Sequence, residues 1–261
     1  MRRRRLAALL AALLAVGCSS AGSAPSPAAI TGDAPSPTGP TPATVLTPPA
    51  TAPADGSAPD GRARFAGRIG AIPPAIAREM RGTTWKPGCP VPIRDLRLLR
   101  FNYVGFDGEV KRGPMVVHED VAADVLWVFG RLFEARFPIK RVALAREFVP
   151  GGFEPRISSR RSVTAAFNCR PVIAPRGPVD RYSQHALGLA IDINPVQNPY
   201  VDADGFVRNR MSGPYLDRSE DLLGMIHDGD VVVRSFAAVG WSWGGHWRHG
   251  KDYMHFSRTG R

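Results

Sequence analysis

One stretch constrains this chain more than any other: Ser183-Gln-His-Ala-Leu-Gly-Leu-Ala-Ile-Asp192, taken together with a shorter echo near the C-terminus, Asp252-Tyr-Met-His-Phe256. After Gly188, the residues Leu189, Ile191 and Ile193 alternate with Ala190, Asp192 and Asn194, and period-two alternation predicts a half-buried strand. Leu189, Ile191 and Ile193 then face a core, and Asp192 points the other way beside small Ala190. A histidine in the turn before that strand, His185, and the aspartate on it can converge on one point. Three protein ligands with an open fourth position make a catalytic zinc site, and imidazole nitrogen and carboxylate oxygen are ordinary zinc donors. His185 and Asp192 supply two of the three. The third candidate is His255, in the aromatic-rich run Tyr253–Phe256, which reads as a short strand. His246 and His249 compete for the role, but neither has an acid three residues before it. His255 does: Asp252 is placed to act as a general base toward water that a metal has acidified.

The pattern Ser183-x-His185-x-x-Gly188-x-Ala190-x-Asp192, followed by Asp252-x-x-His255, resembles the zinc D-alanyl-D-alanine carboxypeptidase family, which also includes peptidoglycan L-alanyl-D-glutamate endopeptidases. Glu134–Ile139, Ala166-Phe-Asn-Cys-Arg170, Asp192-Ile-Asn-Pro-Val-Gln-Asn-Pro-Tyr200 and Gly240-Trp-Ser-Trp-Gly-Gly245 extend the likeness over roughly residues 85 to 258. The resemblance implies zinc on His185, Asp192 and His255, with Asp252 as the base. It also implies that an arginine near residue 170 holds the substrate or its developing oxyanion. Arg170 is the first choice and Arg160 or Arg161 the next; such a side chain can grip a carboxylate with two parallel bonds or stabilise transition-state charge. The implied substrate is the peptide stem of peptidoglycan, with the terminal D-Ala-D-Ala bond first. Many carboxypeptidase members carry glutamate where this chain has Asp252, and the endopeptidases often carry aspartate. An L-Ala-D-Glu or crosslink endopeptidase is therefore the alternative within the class. A cell-wall-binding lipoprotein without turnover is the alternative outside it.

The N-terminus gives the compartment. Met1 to Gly17 has four arginines and then an apolar run from Leu6 to Val16, the parts of a secretory signal and too short for a mature span. Ala15-Val-Gly-Cys18 resembles a bacterial lipobox, which makes Cys18 the lipidated residue and puts the mature protein on the outer face of the membrane or in the cell wall. Losing four arginines and no acids takes the formal charge from +11 to +7, a basic balance that suits an anionic wall. The arginines are scattered, densest at Arg156, Arg160 and Arg161, so a solvated face is the plainer reading and nucleic acid is not expected. Residues 18–64 are rich in Pro, Ser, Ala, Thr and Gly and cannot bury enough apolar surface to fold, so they form a disordered tether. Residues 65–261 remain for one peptidase domain, read as a monomer.

Within that domain, Cys89 and Cys169 are the two cysteines left in an oxidising compartment, which predicts one disulfide rather than two buried thiols. Leu96 to Val104 and Val110 onward form a hairpin about Asp107-Gly108. Val121, Val125, Val128, Phe129 and Leu132 fall on one helical face behind the acidic pair Glu119-Asp120, with Pro138 as the stop. Arg141 to Phe148 reads as a strand, and Pro73-Pro74 opens a short helix ending near Met80. Asp202-x-Asp204-Gly is a turn rather than a calcium loop, because no bidentate glutamate follows. Asp230 caps a helix over Val231 to Val239 that Gly240 ends. Trp241, Trp243 and Trp247 either wall the substrate cleft or pack beneath it, and Trp243 is the one assigned to substrate together with Ser183 and Arg170. Ser183 is expected to orient the His185 turn, since no base stands by for a serine nucleophile. The fold expected is α+β: a small antiparallel sheet flanked by helices, with zinc held on the sheet.

Overall fold

The computed structural model describes residues 63–145, 161–174, 177–207 and 209–260. The signal-like segment 1–17, Cys18, nearly all of the tether, Arg156 and Arg160 lie outside the described residues. Among the described residues, no helix is long and apolar enough to cross a membrane.

The fold is α+β with antiparallel pairing throughout its ladders, but the strands are shared among several small sheets. The first runs β1 (Gly67–Ala71), β2 (Leu96–Val104), β3 (Val110–His118), and the second runs β6 (Ala190–Asp192), β10 (His255–Ser257), β8 (Ser242–Trp243). Two-stranded ladders join β4 (Pro171–Ala174) to β5 (Gly177–Tyr182) and β7 (Tyr200–Val201) to β9 (Lys251–Asp252). Helices α1 (Pro74–Met80), α2 (Ala122–Glu134) and α3 (Val231–Ala238) pack around them.

Period-two and helical patterns meet in one continuous core. The odd residues of β2 (Leu99, Phe101, Tyr103) and Met115 and Val117 of β3 face Val125, Val128, Phe129 and Leu132 of α2. The Phe101 and Phe129 rings lie 4.4 Å apart at their centroids. The same cluster continues through Ile191, Ile193 and Phe256 of the second sheet to Phe236 of α3, whose ring stacks on Phe256 at 4.2 Å. Asp230 caps α3 as its sequence predicts, accepting from the Val232 and Val233 amides at 2.8 and 3.0 Å.

A second apolar cluster lies under the His185 turn: Met80, Leu96, Leu98, Val116, Phe167, Cys169 and Ala186. The predicted disulfide joins Cys89 to Cys169 across 80 residues of sequence. Closing a loop of that length is worth about 4.5 kcal/mol in the chain-entropy model. Cys169 also donates its amide to the Thr84 carbonyl at 2.8 Å, so the bridge reinforces a contact already made by the backbone. The variant Cys89→Ser/Cys169→Ser is expected to lose about 2–5 kcal/mol of stability, measured by denaturant unfolding.

Three local expectations need correction. Arg141 onward is not a ladder strand among the described residues; Val142 makes a single bridge to Thr164, and Phe148 lies outside the described set. The α2 helix ends at Glu134, ahead of Pro138, because Arg136 adopts φ +55, which breaks the helix before the proline can. Ala190 does not face solvent: it is as fully buried as Ile191, because β6 is covered on both sides. Alternation of Ile with Ala and Asp could not distinguish a half-buried strand from a fully covered one.

Candidate metal centre and active site

Asp192 ends β6, and its register partner on β10 is His255, directly opposite. Cross-strand partners bring their side chains together on one face, and here the His255 Nδ1 lies 3.1 Å from Asp192 Oδ1. His185 approaches the same oxygen from the 3₁₀ turn Gln184–Leu187, with Nε2 at 3.2 Å. The three donor atoms all lie within 4.8 Å of one another. A tetrahedral ion with ligands at about 2.0–2.1 Å separates its donors by about 3.3 Å, so the two histidine-to-aspartate spacings are those of a zinc polyhedron edge.

The His185 turn is held from several sides. The Nδ1 of His185 lies 2.8 Å from the Ala166 carbonyl, which places the ring proton on Nδ1 and leaves the Nε2 lone pair facing Asp192. Ser183 caps the turn, its hydroxyl accepting from the His185 amide at 3.3 Å. Gly188 closes it at φ +69, and a Cβ there would stand 2.6 Å from the His118 amide nitrogen. That amide donates to the Gly188 carbonyl at 3.0 Å and ties the turn to the end of β3. Gly188→Ala is therefore expected to displace His185, lowering zinc affinity by about 10–100-fold in a competition titration.

The strand expected over Tyr253–Phe256 begins only at His255. On a continuous strand, residues three apart face opposite sides. Here Tyr253-Met254 form a turn between β9 and β10, and it brings both side chains to the same centre. Asp252 is pushed up to about 7: burial raises it most, the His255 charge opposes that, Asp192 raises it further, and Arg170 lowers it. Its Oδ1 is buried without a hydrogen-bond partner among the described residues. Asp192 is driven the other way, its burial outweighed by the adjacent histidines, His185 first, which hold its carboxyl well below the ordinary range.

The two neighbouring carboxyls thus differ in proton affinity, a divergence that suits one to a ligand's role and the other to a base's. A raised carboxyl binds its proton in the folded chain between about pH 4 and pH 7, where the unfolded chain has already released it. Stability must therefore fall as pH rises through that window. In chelated protein, the melting temperature of Asp252→Asn minus that of wild type is expected to grow from pH 4.5 to pH 7.5.

Arg170 lies in the extended segment that also holds Ala166, and its carbonyl accepts from the Ser183 amide at 3.0 Å. Its guanidinium is half-buried, lowered by that burial and sustained by the charges of Asp192 and Asp252, and its Nε is unpartnered among the described residues. Arg161 is exposed. Trp243 packs mostly inward: it is 5 % exposed, its indole N–H donates to the Tyr253 carbonyl at 2.8 Å, and it stacks toward Phe256 in the core, while it also lines a surface hollow with Trp241, His246 and Trp247. The half-buried indole nearest the centre is Trp247, 5.5 Å from the His255 ring. His246 is drawn away to Asp228 at 2.8 Å. The Asp202 carboxylate accepts from the Asp204 and Phe206 amides, as a turn requires.

Residues 177–258 match the family model described as D-alanyl-D-alanine carboxypeptidase. This segment is similar to that family. The matched stretch holds His185, Asp192, Asp252 and His255, and it is the family that the sequence motifs resemble. No curated protein and no solved structure matches the chain.

Sequence reading missed what braces the Asp252–His255 turn. Arg218 lies 4.3 Å over the Tyr253 ring. It donates to the carbonyls of Gln197, Tyr215 and Ile226 and to Asn198 Oδ1. Asn198 in turn bonds Ile226 and Gly224, and Asn194 bonds Pro138 and Gly224. The loop after β6 is thereby locked beside the Asp252–His255 turn. The signal was present in Asn194, Gln197 and Asn198, amides set between apolar residues and prolines after Asp192. Nothing in the sequence pointed to Arg218. Arg218→Ala is expected to lower turnover by about 10–100-fold through misplacement of Asp252, with zinc affinity changed far less, as read from steady-state rates beside a zinc titration.

Proposed function

We propose that this chain is a zinc D,D-carboxypeptidase, an exported monomer that removes the terminal D-alanine from peptidoglycan stem peptides. The observation that carries this reading is the convergence of His185, Asp192 and His255 on one point, with a second carboxylate, Asp252, kept near neutrality beside them. His185, Asp192 and His255 would hold zinc, which would supply a Lewis acid able to acidify water and polarise a carbonyl.

The protein's own groups do the rest. Asp252, with its carboxyl near 7, takes a proton from the attacking water and returns it to the leaving amine. Ala166 keeps the His185 ring in one tautomer, and Ser183 fixes the turn. Arg170 offers a cation that a C-terminal carboxylate or a developing oxyanion can engage. Its burial among carboxylates makes it a strong partner, because water competes for it poorly. Cys18 and the tether would hold the domain outside the membrane, within reach of the wall, with no nucleic acid in its path.

An endopeptidase is the second reading, favoured by aspartate rather than glutamate at position 252. A binding protein without turnover has no use for a buried acid held near 7, which costs stability above pH 4. The test compares stem pentapeptides with free and amidated C-termini. Cleavage confined to the free peptide supports the carboxypeptidase, and equal cleavage of both moves the function to an endopeptidase.

A further inference from the structure

The strands of the first sheet, β1 to β3, carry Arg68, Arg97, Arg100, Lys111 and Arg112 and not a single acid. On the face packed against α2, Arg97 pairs with Glu119 and Lys111 with Asp107. On the opposite face, Arg68 of β1 is the direct register partner of Arg100 of β2, and both are exposed. Arg112 of β3 lies on that same face, opposite Asn102.

Arg64 joins them. The Phe65 ring turns to the core side, 6.5 Å from Phe101 and 5.8 Å from Phe133, so its neighbour Arg64 faces away. Asn102 anchors that stretch to β2, accepting from the Ala66 amide at 2.7 Å and donating to the Arg64 carbonyl at 2.8 Å. Among the described residues, no acid pairs with Arg64, Arg68 or Arg100. Like charges directly opposite on neighbouring strands, about 5 Å apart, oppose folding unless something anionic lies between them.

We infer that this arginine face is a docking surface for a linear phosphodiester polymer, separate from the metal centre and independent of the peptidase reading. Guanidinium groups match phosphate oxygens in geometry and charge. A rigid antiparallel sheet presents them in fixed rows, along which a chain of repeated anions can lie. An anionic membrane is the weaker fit. Surfaces that sit on lipid interleave basic groups with large apolar side chains that insert, and on this face the residues beside the arginines are Ala66, Gly70, Asn102 and Pro114, with only the short aliphatic Val110 exposed next to Arg112 among the described residues.

The test measures binding of the full chain to poly(glycerol phosphate) at several salt concentrations, and to vesicles of phosphatidylglycerol and phosphatidylcholine, which present the same phosphodiester on a membrane. The variant Arg68→Gln/Arg100→Gln is compared with Arg78→Gln/Arg234→Gln, which removes equal charge from two exposed helical positions. The expected result is polymer binding that weakens with salt and falls about tenfold or more in the first variant, but less than about twofold in the second. The first variant should melt no lower than wild type, since a repulsion is removed, and its melting temperature should no longer rise on adding polymer. Absence of polymer binding at low salt, an equal loss in both variants, or binding to vesicles alone would each overturn the assignment.

Discussion

Asp252→Asn is expected to lower turnover of a stem pentapeptide by about 10²–10⁴-fold while leaving zinc bound. The expectation rests on three observations. Asp252 is not one of the three converging donors, so that triangle keeps its members when Asp252 is neutralised. Its affinity for a proton is raised to about 7, burial being the main cause, which matches a base that must both accept and release a proton near neutral pH. Gly244 allows the approach, because a Cβ there would lie 2.4 Å from the Asp252 carbonyl oxygen. Steady-state rates beside zinc content by metal analysis separate this from loss of the metal. A rate within about threefold of wild type would remove Asp252 from the chemistry.

Asp192→Ala is expected to abolish both zinc binding and turnover. Both histidines approach the same Asp192 oxygen, at 3.2 and 3.1 Å, so its removal leaves two neutral donors without the anionic one between them. The cleanest readout is thermal. Zinc at about a thousand times its dissociation constant stabilises a protein by about 4 kcal/mol, which raises the melting temperature of wild type by several degrees. Asp192→Ala should show no such rise. His185→Ala should behave in the same way, because its ring is oriented by the Ala166 carbonyl alone on its far side and nothing nearby replaces it. A zinc-induced shift retained in Asp192→Ala would move the metal elsewhere.

The donor set was legible in the sequence because each of its members sits in a short local pattern: a capped turn, a glycine that must adopt positive φ, and a strand of alternating residues. The α2 helix, the Asp230 cap and the β2–β3 hairpin were legible for the same reason. What was hidden depends on distance in the chain. The spacing of Asp252 and His255 could not reveal that a turn separates them, since period-two reasoning assumes a continuous strand. Trp243 was assigned to substrate with packing beneath the cleft left open, and Phe256 and the Tyr253 carbonyl take its ring and its N–H. Arg218 was invisible because its partners, Gln197, Asn198, Tyr215 and Ile226, are brought together only by the folded loop. Local chemistry therefore picked out the three residues that come together, and tertiary packing decided which residues support them.

The most direct test of the zinc-peptidase account is mass spectrometry of purified muropeptides incubated with the zinc-loaded chain, beside a chelated sample and Asp252→Asn. The account predicts loss of a single terminal alanine from pentapeptide stems, dependent on zinc and absent from both controls. Unchanged pentapeptides, or the same loss in the chelated sample, would contradict it.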